Sequence, residues 1–219
     1  MEKKKNNSLI VMVIVLILTA VYTVLVCTVN KAPIGPNGTM VGFSDLNAAF
    51  RDMIGLNLTW DLLSDVTMGI AILAALSFVV VGLIQLVKRK SLAKVDKAIL
   101  ILAGVYVVVV VLYVFFDKVP INYRPFILPV ETEPEASFPS THVLVVATVL
   151  CTAIVAWDRI IKEKKVLLTV LKIAAALVVI AGIVFRIISG VHWITDIVAG
   201  ALFSASLTSV YVAILDKVE

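Results

Sequence analysis

The chain has 219 residues, 61% of them hydrophobic and 16% charged, with a mean hydropathy of +1.09. That is too apolar for a water-soluble domain and suits a bundle of membrane-spanning helices. The formal net charge is +4, and the basic residues fall in short runs between apolar segments. No continuous basic face of the kind that binds nucleic acid is implied.

In chain order, Met1-Glu-Lys-Lys-Lys leads into an apolar run over 9–29. At about 21 residues it exceeds the roughly 7–15 of a signal-peptide core, and no small-x-small cleavage site follows. It reads as a retained first helix. Residues 30–65 form the longest loop. Its first part, Lys31-Ala-Pro-Ile-Gly-Pro-Asn-Gly, is rich in turn formers. Ser44-Asp45 then looks like a helix start, with Leu46, Ala49, Phe50, Met53, Ile54 and Leu58 at i+3/i+4 spacing. Two readings stay open: an amphipathic helix on the membrane surface, or a lid on the outer helix ends. Glycosylation sequons at Asn37 and Asn57 are common by chance and carry no weight.

Five further apolar runs follow, over 66–87, 98–116, 141–157, 166–187 and 195–215. Each approaches or passes the roughly 20 residues needed to cross about 30 Å of hydrocarbon. Backbone groups in lipid must bond internally, so all six runs are expected to be helices. The chain shows no internal repeat. Cys27 and Cys151 lie inside apolar runs without a second ligand at metal spacing, and read as small hydrophobes.

The Lys and Arg distribution predicts orientation. Lys3, Lys4, Lys5, Lys88, Arg89, Lys90, Lys94, Lys97, Arg159, Lys162, Lys164, Lys165, Lys172 and Lys217 fall on one side, 14 of 19. That side, with both termini, is expected to be the cytoplasm. The other side holds Lys31, Arg51, Lys118, Arg124 and Arg186. The expected fold is therefore all-α and integral to the membrane, with six transmembrane helices. An amphipathic helix lies in the first extracytoplasmic loop. One membrane domain is expected over 1–219, with a first helix and loop over 1–65 and a core over 66–215.

Three polar clusters interrupt the hydrocarbon on the outer side, and they hold both histidines of the chain. The C-terminal one runs from Arg186 to Asp196. His192 and Asp196 are four apart, so on a helix they would share one face, and Asp196 would fix the imidazole tautomer. Ser189-Gly190 is a plausible helix break that brings Arg186, a planar fork suited to phosphate, near His192. An interfacial His-Trp anchor is the simpler reading of this cluster. The second is Ser137-Phe-Pro-Ser140-Thr141-His142. Pro139 is expected to begin a helix, leaving the Ser140 and Thr141 N–H groups as an anion site and His142 as a proton donor. A plain helix cap with a snorkelling imidazole fits equally well. The third cluster supplies Lys118 and Arg124 in a loop kept non-helical by Pro120 and Pro125, or simply solvated anchors. Glu131, Glu133 and Glu135 beside it suit a solvated rim.

Conjunction decides among these readings. A helix N-terminus, two arginines and a lysine on one face could surround a tetrahedral anion, while two imidazoles serve as nucleophile and acid. No Cys/His or carboxylate set has metal spacing, so neither a metal nor another cofactor is expected. A lipid or anion transporter is the alternative from a different class. It would want polar residues at mid-span, where Thr148 and Thr169 are typical of the little polarity present.

These residues resemble the type 2 phosphatidic acid phosphatase superfamily, membrane lipid phosphate phosphatases that share an active site with vanadium haloperoxidases. The haloperoxidases are soluble, which this composition excludes. The family pattern has three parts: Lys-x6-Arg-Pro, Pro-Ser-Gly-His and Ser-Arg-x5-His-x3-Asp. Arg186, His192 and Asp196 match the third, with Phe185 where serine is usual. Pro139, Ser140 and His142 match the second, with Thr141 in place of glycine. Arg124-Pro125 fit the first, but only five residues separate Lys118 from Arg124.

The resemblance implies a phosphohistidine on His192, oriented by Asp196, with His142 protonating the departing oxygen and then activating water. Lys118, Arg124, Arg186, Ser140 and Thr141 would hold the phosphoryl oxygens, with Arg186 contributing to turnover more than to apparent affinity. The implied substrate is a lipid phosphate or pyrophosphate in the outer leaflet of a plasma membrane. Undecaprenyl pyrophosphate is the first choice, and phosphatidylglycerol phosphate or phosphatidate the second. The lipid and the bilayer are the expected partners.

Overall fold

A computed structural model describes residues 2–129 and 131–218; Met1, Val130 and Glu219 lie outside the described residues. Seven α-helices follow in order: α1 (Glu2–Thr28), α2 (Ser44–Ile54), α3 (Leu58–Arg89), α4 (Lys97–Lys118), α5 (Thr141–Ile160), α6 (Lys165–Ser189) and α7 (Ile194–Val218). All but α2 are long and apolar enough to cross a membrane. The all-helical fold with six candidate spans is therefore as the hydropathy pattern predicts.

Helix α5 is the axis of the bundle. Over half of its most apolar window, 56%, is buried, against 11% for α1, α3 and α6. It packs against α3, α4, α6 and α7, while α1 lies outside on α7. Leu144 and Ala153 of α5 meet Leu102 and Val105 of α4 and Tyr211 and Leu215 of α7. The exposed apolar residues, such as Leu73, Val107, Val110 and Leu177, point outward, as expected where lipid replaces water. The two termini share one end of the bundle, where Lys5 Nζ lies 3.4 Å from the Lys217 carbonyl. Lys97, on the same end, bonds the Val218 carbonyl at 3.0 Å.

Two sequence expectations need correction. Helix α3 begins at Leu58 and not at 66, so the boundary expected at 65/66 falls inside it. Asn57 caps α3 by accepting from the Thr59 and Trp60 N–H groups, which explains the earlier start. The amphipathic helix correspondingly stops at Ile54, where Gly55 takes a positive φ of 67°. It docks through a polar residue: Asn47 is fully buried and donates to Thr195 Oγ1 at 3.0 Å and to the Gly42 carbonyl at 2.8 Å. Leu46 and Met53 face outward instead, 55% and 73% exposed, which favours a helix on the membrane surface.

The α6–α7 turn is built on Gly190, at φ 69°, where a side chain is strained. A Cβ there would also lie 1.7 Å from the Gly55 carbonyl oxygen. This close approach lets the Asn57 N–H donate to the Ser189 carbonyl at 2.9 Å. Gly190→Ala should therefore destabilise the protein by about 2–4 kcal/mol. The check is the thermal unfolding midpoint in detergent, and an unchanged midpoint would count against this role for the turn.

Candidate active site

All three polar clusters come to the end of the bundle opposite the termini. Arg124, Thr141, His142, Arg186 and His192 line one cavity of about 820 Å³, with Lys118 and Glu135 also on its wall. Met68 and Ile72 of α3 and Tyr113 of α4 form its apolar side. Its size suits a head group with part of its tail.

At its centre is the Arg186 guanidinium, whose side chain is 1% exposed. Burying a charge is costly unless it is paired, and Arg186 pairs through Nη1 with Asp61 of α3. Its Nη2 lies 3.3 Å from His192 Nε2. A guanidinium can only donate, so His192 Nε2 is the acceptor and carries a lone pair. The ring proton then belongs on Nδ1, which faces Asp196 Oδ2 at 3.7 Å. Burial holds the His192 imidazole well below its ordinary pKa, helped by the Arg186, Arg124 and His142 charges and opposed by the Ser137 main chain. His192 is thus a neutral base at ordinary pH.

His192 is not on a helix, contrary to expectation: α7 starts two residues later, at Ile194. Asp196 is nevertheless brought beside it, because the turn folds back and the Asp196 N–H bonds the Trp193 carbonyl at 3.0 Å. Trp193 is fully buried, and its Nε1 donates to the Tyr123 carbonyl at 2.6 Å. Asp196 is also fully buried, and Asn122 Nδ2 donates to its Oδ1 at 2.8 Å. A closure of under an ångström would join His192 Nδ1 to Asp196 Oδ2.

His142 has the opposite environment. Its Nε2 lies 2.7 Å from Asp65 Oδ1, and an ionised carboxylate can only accept, so this nitrogen carries hydrogen. The two imidazoles therefore present unlike atoms, a lone pair on His192 and an N–H on His142.

The second cluster differs from expectation in detail. Pro139 follows a cis bond and lies outside the helix; Ser140 is the cap and Thr141 the first helical residue. The Ser140 N–H is not free for an anion, because it donates to the Asp196 carbonyl at 2.9 Å. That contact needs Gly200, where a Cβ would lie 2.8 Å from the Ser140 carbonyl oxygen and 3.0 Å from Val143 Cβ. Ser140 is itself fully buried and serves as a joint between α5 and α7, while Thr141 reaches the cavity.

The third cluster divides. Arg124 is held beside the cavity by an antiparallel bridge, Tyr123 to Ala136, and by Glu135, whose Oε2 lies 2.9 Å from Arg124 Nε. Lys118 ends α4 with its side chain 77% exposed and its Nζ 2.8 Å from Asp117. It stands on the rim, away from His192's partners. Glu131 and Glu133 are exposed, as a rim role predicts.

Asp61, Asp65 and Asn122 are polar site residues that the sequence reading missed. Asp61 and Asp65 are four apart directly after the Asn57 cap, a usable signal once α3 is started there. Among the described residues, no group of three His, Cys, Asp or Glu side chains could hold a metal.

The fold is a helical bundle with six candidate spans, and its cavity brings Arg124 and Arg186 together with two imidazoles of unlike tautomer. The sequence profile of the PAP2 superfamily matches residues 94–219, so the chain belongs to that family. Its six candidate spans make it a membrane-type member of that superfamily. Among solved structures, it resembles the "first transmembrane PAP2 type phosphatidylglycerolphosphate phosphatase from Bacillus subtilis". The TM-score is 0.60 at 21% identity, over 97% of each chain, which is a likeness of fold. No protein among the curated ones matches the chain.

Asn122→Ala would leave Asp196 Oδ1 buried without its partner and should lower stability by about 1–3 kcal/mol. Turnover should fall with it, because Asp196 would turn to other donors. The comparison is of melting midpoint and kcat with wild type, and no change in either would remove Asn122 from the site.

Proposed function

We propose that the chain hydrolyses a terminal phosphate or pyrophosphate group of a membrane lipid, through a phosphohistidine on His192. The unlike tautomers of the two imidazoles carry this reading. The His192 Nε2 lone pair attacks phosphorus, and the bond to the leaving oxygen breaks with its electron pair going to that oxygen. His142, acting as the imidazolium paired with Asp65, supplies the proton to that oxygen and is left as the neutral imidazole. Water then gives a proton to His142 as its oxygen attacks phosphorus, and the P–N bond electrons return to His192. Asp196 stabilises the Nδ1–H of the imidazolium formed between the two steps. Arg186, Arg124 and Thr141 hold the phosphoryl oxygens, where charge must be stabilised through the transition state. Ser140 acts by fixing the helix start, and Lys118 meets the outer part of a head group.

The basic residues at the opposite end of the bundle support a cytoplasmic placement of both termini and an outward site, in a plasma membrane. The whole chain then works as one membrane domain. For such a site undecaprenyl pyrophosphate is the first substrate, because that carrier is released on this face. Phosphatidylglycerol phosphate is the second reading, favoured by the activity of the structurally similar Bacillus subtilis protein.

Phosphate release from undecaprenyl pyrophosphate, phosphatidylglycerol phosphate and phosphatidate, in detergent with EDTA, tests this directly. His192→Ala should lower kcat by at least about 10³-fold and His142→Ala by about 10²–10⁴-fold. Unchanged release by His192→Ala, or strict need for a divalent metal, would overturn the mechanism. The relative rates on the three lipids decide the substrate. Because His192 is held neutral, kcat/KM should persist as pH falls past the ~6.5 of an ordinary imidazole. An acid limb of wild-type kcat/KM centred at or above that value, followed over the same pH range by the acid-labile phosphate labelling of His192, contradicts the assignment.

A further inference from the structure

The proposed chemistry uses the cations around the cavity and leaves Asp61 without a task. We propose that Asp61 is a charge filter: it pairs with Arg186 in the empty site and yields only to an anion of higher charge. Terminal phosphate groups are then admitted and phosphodiester head groups refused. The inference rests on the reading of Arg186 as a phosphate-binding residue.

Three observations carry it. First, Asp61 takes the Nη1 end of Arg186, while Nη2 faces His192 and Nε is buried without a partner. Nη1 holds the Asp61 carboxylate and Nη2 lies 3.3 Å from His192 Nε2, the attacking atom. A phosphoryl group brought against Nε2 meets Nη2 at once, and reaches Nη1 only by displacing the carboxylate. Second, the exchange is decided by charge. A phosphodiester bears one negative charge, as Asp61 does, so replacing one by the other around a buried cation gains little and costs desolvation. A terminal phosphate approaches two negative charges and gains from both ends of the fork. An enzyme embedded among diester lipids needs this discrimination, which the apolar wall of Met68, Ile72 and Tyr113 cannot provide.

Third, Asp61 is not what docks α3 on α6. Trp60 and Phe185, the residues just before Asp61 and Arg186, pack ring against ring at 5.3 Å. The Asn57 N–H to Ser189 carbonyl bond, at 2.9 Å, fixes the same two helices again. Neutralising Asp61 therefore changes the charge opposite Arg186 while both of these contacts remain. Asp65, one turn on, faces His142 instead and is 57% exposed, so it acts on the proton donor and not on the anion.

Two inhibitors that differ by one charge and one methyl group test the filter: a long-chain alkylphosphonate and its monomethyl ester, titrated into micelles with the full-length protein. At a pH where the phosphonate carries two charges, wild type should prefer it by at least about tenfold in inhibition constant. Asp61→Asn should bind the monoester about tenfold more tightly than wild type, and Asp61→Glu should restore the preference. If Asp61 only positions Arg186, Asp61→Asn will weaken both inhibitors, which overturns the filter. A wild-type preference under about threefold overturns it also, whether or not the variant folds. Arg186→Lys separates the underlying reading. If it leaves phosphonate inhibition unchanged, Arg186 does not bind phosphate and the basis itself fails. If it weakens inhibition while Asp61→Asn changes nothing, only the filter fails.

Discussion

A guanidinium sealed inside an apolar bundle governs the arrangement of this site. Arg186 is 1% exposed, and a charge so placed is costly unless groups that accept hydrogen meet it. Asp61 meets one end of it and His192 the other. The second contact has a chemical consequence beyond stability. It forces the lone pair of His192 onto the nitrogen that faces the cavity, and so turns an imidazole of either tautomer into a base of one. Burial, joined by that positive charge, holds the imidazole neutral. Placement and tautomer of the proposed nucleophile thus have a common physical cause.

The other half of the site is held through the main chain. The Asp196 carboxylate faces His192 and Asn122, while its own carbonyl accepts from the Ser140 N–H at the start of α5. His142 is two residues beyond Ser140, so one residue of α7 sets the position of both imidazoles. Asn47 of α2 and Tyr22 of α1 brace the neighbouring Thr195, at 3.0 and 3.1 Å. The surface helix therefore does more than cover the outer end. It fixes the first turn of α7 through a buried polar contact.

Much of this was legible in the sequence, and the reason is chemical sparsity. In a chain that is 61% hydrophobic, two histidines beside arginine and aspartate stand out, and their spacing suffices to bring Arg186, His192 and Asp196 together. Hydropathy found the spans but hid the acids. Asp61 and Asp65 depress any apolar window that includes them, so α3 was expected to begin at 66 and its first two turns were assigned to a loop. The Asn57 cap was the contrary signal, since its side chain satisfies two N–H groups at the true start. Lys118 illustrates the opposite error. It had the right type and neighbourhood, yet its shorter spacing from Arg124 leaves it on the rim, paired with Asp117. Asn122 had no signal, because an asparagine in a proline-bounded loop reveals nothing about a carboxylate 74 residues away.

Phe185 is the departure from the family pattern that the structure explains best. The serine expected there would offer a hydroxyl to phosphate. The phenylalanine instead packs on Trp60, at the outer end of α3. Ring contact at 60 and 185 sets the register of two helices at the next residues along, 61 and 186, which are the ion pair. An apolar contact between helices thus stands where the family pattern has a hydroxyl, and it brings a carboxylate to the buried arginine. Phe185 and Asp61 are accordingly two parts of one local arrangement, in which the empty site keeps its cation paired.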